Sequence, residues 1–116
     1  IVGTLRPVSM AVAAEHLASH GYVVAYAERQ PRESLIADGL VREALIIGEL
    51  VRDLEVTIAR LRQESWVDPG RLGAHGFSGD GLAPMVLAMR HPDVDALGLL
   101  ETGWLSPAQV SSFQEV

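Results

Sequence analysis

Arg71-Leu72-Gly73-Ala74-His75-Gly76-Phe77-Ser78-Gly79-Asp80-Gly81 leads directly into the helix-forming run Leu82 to Arg90. Arg71 to His75 reads as a short strand, and a serine flanked by glycines between a strand and a helix reads as a nucleophile elbow. In such an elbow a sharp turn lifts the hydroxyl clear of the sheet edge, which suits acyl transfer. Small neighbours let strand and helix approach closely, and Gly76 and Gly79 meet that need.

Downstream, a helix from about Gly79 to Met89 is expected to stop before Pro92, and Ala96 to Leu100 reads as a strand ending in Glu101-Thr102-Gly103. Upstream, Trp66 to Gly70 is a turn, and Leu35 to Arg62 reads as mostly helix, with Gly39 or Gly48 as points of interruption. Leu50, Leu54, Ile58 and Leu61 recur at helical spacing, with Arg52, Asp53, Arg60 and Arg62 turned outward. Tyr22 to Ala27 is a continuous apolar run, as expected of a strand covered on both faces.

The first helix is expected to place Met10, Ala13, Ala14 and Leu17 on one face, with Ser9 as its cap and His20-Gly21 as its stop. Ile1 to Gly3 reads as the tail of a strand and Thr4 to Ser9 as a loop. Strand and helix alternate throughout, which predicts the α/β class with a parallel sheet and right-handed crossovers. Trp66 and Trp104 read as packing residues.

Composition sets the bounds. A chain of 116 residues suits one domain, residues 1 to 116, burying about 65% of the unfolded surface. It begins Ile1-Val2-Gly3 and ends Glu115-Val116 soon after a strand-like segment, so the expectation is a core cut at both ends. A net charge of −6 argues against nucleic acid, because no basic stripe is available to neutralise phosphates. No apolar run approaches the roughly 18 residues of a membrane span. Cysteine is absent, and no set of His, Asp and Glu has ligand spacing on one element, so neither a thiolate nor a metal site is expected.

Reactive groups in an open parallel sheet collect beyond the carboxyl ends of its strands. Gly3-Thr4-Leu5, Gly76 to Gly81 and Glu101-Thr102-Gly103 all fall at that edge. The Gly79 N–H, at a helix start, is placed to hold an oxyanion, and a second donor is expected from Thr4 or Leu5.

Gly76 to Gly81, with Leu82 to Pro92 and Val94 to Gly103, resembles the nucleophile-elbow region of α/β-hydrolases, in particular dienelactone-hydrolase-like and platelet-activating-factor-acetylhydrolase-like esterases. Ala14 to Val24 also looks like their first helix and following strand. The resemblance implies a truncated parallel-sheet α/β-hydrolase core without a cofactor, in which Ser78 is the nucleophile and Glu101 the triad acid. The substrate it implies is a small carboxylic ester.

Two departures from the family pattern stand out. Asp80 occupies a position where a small residue is usual; its carboxylate either opposes the developing oxyanion or favours the helix dipole. The family's histidine follows a late strand that these residues do not reach, and His16, His20, His75 and His91 are all poorly placed to substitute. His75 should face the sheet, His20 should interact with a helix C-terminus, and His91 should lie roughly 18 Å from Ser78. Two other readings remain. Gly73-x-x-Gly76-x-x-Gly79 with Glu101 partly resembles an NAD(P)-binding turn. The chain could also be a non-catalytic hydrolase-like fragment that associates, homo-oligomers included, through exposed sheet edges.

Overall fold

The computed structural model describes residues 1–5, 11–28, 39–100, 107 and 111. Four strands, β1 (Val2–Leu5), β2 (Ala25–Glu28), β3 (Gly73–Phe77) and β4 (Ala96–Leu100), form one sheet in the order β2-β1-β3-β4. Every neighbouring pair is parallel. The helices α1 (Ala11–Ser19), α2 (Gly39–Leu61) and α3 (Leu82–Arg90) fill the crossovers, so the chain is of the α/β class.

Burial follows the two-residue period in β3. Val2, Ala74 and Gly76 are buried on the face covered by α2 and α3, where Leu54, Val51 and Leu87 are fully enclosed. The amphipathic pattern of α2 holds, with Leu50, Leu54 and Ile58 inside and Arg52, Arg60 and Arg62 outside. Gly48 does not interrupt that helix. Glu55 of α2 bonds the ring of His91 at 2.7 Å, and Arg62 pairs with Asp93, tying α2 to the turn after α3.

The opposite face is thinner. The right-handed crossover rule expects α1 there, because β1 to β2 runs in the opposite direction across the sheet from β2 to β3 and β3 to β4. The helix α1 buries none of its residues; Ala13, Ala14 and Leu17 are half-buried. It ends as expected at His20-Gly21. Gly21 takes φ +86°, and Tyr22 N–H to Leu17 O with Gly21 N–H to Ala18 O complete a Schellman motif.

Several local expectations shift. Thr4 and Leu5 belong to β1 rather than to a loop, because they pair with Ala27 and Glu28 of β2. The strand β2 starts at Ala25, and Ala25, Tyr26 and Ala27 are half-buried because it is an edge of the sheet. The strand β3 reaches Phe77, two residues beyond His75, since β4 pairs along its full length. Trp66 is 64% exposed rather than packed. Met10, Trp104 and the expected helical start at Leu35 fall outside the described residues.

Candidate active site

The strand order reverses direction at the junction of β1 and β3. Such a junction leaves a crevice outside the carboxyl ends of the strands, the usual place for ligands in open parallel sheets. Ser78 follows directly on the last residue of β3 and is exposed at that junction. It opens a single 3-10 turn, Ser78–Gly81, that runs into α3, so α3 itself begins at Leu82 rather than near Gly79. This turn packs against β1, β3, β4 and α3.

Ser78 has φ +53° and is the only non-glycine with positive φ among the described residues. For an L-residue this left-handed conformation costs about 1–2 kcal/mol. The surrounding packing holds it there. A Cβ on Gly76 would collide with the Gly81 backbone and come within 3.1 Å of Pro84 Cγ, so only glycine lets β3 and the start of α3 close on one another. Of the two small residues expected around the serine, Gly76 therefore has a steric cause, and its partner is Gly81 as well as the helix.

The other expected site residues are distributed as follows. Gly79 is the second residue of the 3-10 turn, where N–H groups at a helical start lack intrahelical partners. Thr4 is the penultimate residue of β1, the strand beside β3 at the junction. Glu101 lies outside the described residues; β4 ends one position before it, at Leu100, which pairs with Phe77. Asp80 lies in the turn.

None of the four histidines stands at the carboxyl end of this junction. His75 is three residues upstream on the face opposite α2 and α3, where its Cδ2 would be 3.2 Å from a Cβ on Gly98. Burial lowers its pKa, and among the described residues its enclosed Nδ1 has no hydrogen-bond partner. His91 caps the far end of α3 and is engaged by Glu55. His20 closes α1, its Nδ1 2.8 Å from His16 O, which agrees with the expected helix-terminus role.

Gly73 and Gly76 both lie inside β3, leaving only Gly79 of that trio in the turn, whereas a dinucleotide loop needs its glycines after the strand. A cleft of about 840 Å³ opens at the amino end of the sheet, lined by Ile1, His20, Tyr22, Trp66 and Asp95 among others. It is therefore at the opposite end of the sheet from Ser78. Among the described residues no group of three or more His, Asp, Glu or Cys gathers as a metal site, and no helix is long and apolar enough to cross a membrane.

These features define a parallel α/β domain with a strained, exposed serine at its strand-order reversal. No family model, curated protein or solved structure matches the chain.

Proposed function

We propose that this chain carries the nucleophile of a serine hydrolase acting on carboxylic esters. The observation that supports the reading is Ser78, held at φ +53° in an exposed turn between β3 and α3 and beside the β1/β3 junction. Strain of this kind concentrates where the surrounding fold over-determines a functional geometry.

In this mechanism the Ser78 Oγ adds to the ester carbonyl while a general base removes its proton. The Gly79 N–H and an amide near Thr4 hold the tetrahedral oxyanion, and losing one such donor costs about 3–4 kcal/mol of transition-state stabilisation. Collapse releases the alcohol, which takes back the proton, and water then cleaves the acyl-enzyme by the same steps. Glu101 would orient the histidine base, which comes from outside these 116 residues or from another chain.

Exposure of the chain to a serine-directed fluorophosphonate, followed by intact-mass measurement, tests the reading. A single adduct that disappears in Ser78→Ala supports a Ser78 activated by a base in the chain or in a second copy of it, and absence of an adduct means that these 116 residues alone lack the base. An adduct retained in Ser78→Ala, or ester turnover unchanged by that substitution, overturns it.

A further inference from the structure

Four residues apart at the end of α1, His16 and His20 lie on one side of the helix, both exposed. Their rings approach to 4.5 Å between centroids at an interplanar angle of 53°. Spacing alone is a weak signal. The hydrogen bond at His20 adds to it.

His20 Nδ1 stands 2.8 Å from the carbonyl oxygen of His16, which can only accept, so Nδ1 carries the proton. The neutral ring then has its lone pair on Nε2, directed away from the helix end. A protein carbonyl that binds one imidazole N–H and frees the other nitrogen is the outer-shell arrangement of histidine metal ligands, fixing both tautomer and ring orientation. Ser19 Oγ donates to the same His16 oxygen at 2.6 Å and lies 3.2 Å from His20 Nδ1, so the His20 ring is held from two sides. The Schellman motif at Gly21 stops the helix directly behind it. Among the described residues, the His16 ring nitrogens have no hydrogen-bond partner.

We propose that His16 and His20 form a two-imidazole chelate for a borderline divalent transition metal of the zinc, nickel or copper class, with water in the remaining positions. Nitrogens ligating at about 2.0–2.1 Å in tetrahedral geometry stand roughly 3.4 Å apart, which rotation of the His16 side chain toward the held His20 ring can reach. Two neutral nitrogen donors favour these metals over magnesium and calcium, which take oxygen ligands. The site is separate from Ser78, and its test does not depend on the hydrolase reading.

The test is calorimetric titration of the 116-residue chain with NiCl2 and ZnCl2, with MgCl2 as the hard-cation control and the melting temperature followed in parallel. One equivalent of nickel or zinc should bind and raise the melting temperature, and magnesium should do neither. His16→Ala should weaken binding about tenfold or more, because losing a ligand costs at least as much as losing an outer-shell partner. His20→Asn retains a donor for the His16 carbonyl but removes Nε2, and should weaken binding to the same degree with the helix end intact. Absence of binding, an equal response to magnesium, or binding unchanged in either variant would overturn the proposal.

Discussion

The two faces of the sheet are built by different means. On one, α2 and α3 close over Val2, Ala74 and Gly76, and Leu54, Val51 and Leu87 lose essentially all contact with water. On the other, the row Tyr26, Gly3, His75 and Gly98 runs across all four strands in register. Here two rings lie over two glycines: a Cβ on Gly3 would come within 2.9 Å of Tyr26 Cε1, as one on Gly98 would meet His75. Tyr26 Oη and His75 Nδ1 are both enclosed, with no hydrogen-bond partner among the described residues. The difference is one of cohesion. The helix-covered face is held by interdigitated apolar side chains, and the other by flat rings spread over bare backbone.

The largest test of this contrast is Leu54→Ala. Removing a fully buried leucine should cost about 2–5 kcal/mol, whereas Val12→Ala on the exposed side of α1 should stay within about 0.5 kcal/mol. Chemical denaturation of both variants measures the difference, and comparable losses would break the distinction.

Gly76→Ala probes the seam between β3 and α3. The new Cβ meets Gly81 backbone, which cannot swing aside as a flexible side chain can, so a loss of about 1–3 kcal/mol is expected. The same denaturation measurement applies. A neutral result would mean that the seam has room, and the packing account of the Ser78 conformation would fail with it.

Ser78→Gly should act in the opposite direction. Glycine relieves the left-handed penalty but gives the unfolded chain more freedom, leaving a net gain of about 0.5–1 kcal/mol. If the proposed chemistry holds, this stabilised variant takes no fluorophosphonate, and stability and reactivity part at one residue.

The mildest probe is pH, read at His75. Desolvation lowers its pKa from the ordinary 6.5, so the unfolded chain binds the proton more readily than the folded one. Stability contributed by neutral His75 is therefore present above about pH 6.5 and is lost as the pH falls toward the lower folded value. Replacing His75 with Gln should flatten that part of the stability profile. Asp93, whose carboxylate pKa is lowered chiefly by the hydrogen bond from Arg62, acts in a separate window: its contribution is present above about 3.8 and is lost below it.

Legibility in the sequence tracks how local the determining physics is. Ala96 to Leu100 is bounded as expected, because an apolar run after the Pro92-Asp93 turn needs no distant information. The stop of α1 at Gly21 is equally local, since only the backbone of a glycine enters φ +86° without strain. By contrast, Tyr22 to Ala27 has the composition of a strand covered on both faces yet supplies an edge, and that depends on strand order. Trp66 has the composition of a core residue yet is exposed, and that depends on where α2 ends relative to the sheet.

The candidate site divides along the same line. Its serine, its glycines and their place between strand and helix follow from residues 71 to 91 alone, because turn chemistry is written in near neighbours. The strained turn at Ser78 belongs with them, since its packing is Gly76 against Gly81 and Pro84, whereas its seat at the β1/β3 reversal arises only when residues more than seventy positions apart are brought together. Chain composition determines an alternating α/β pattern. Tertiary packing decides which face closes, which strand is an edge and which strand the serine turn sits beside, because these follow from the sum of long-range contacts rather than from any single segment.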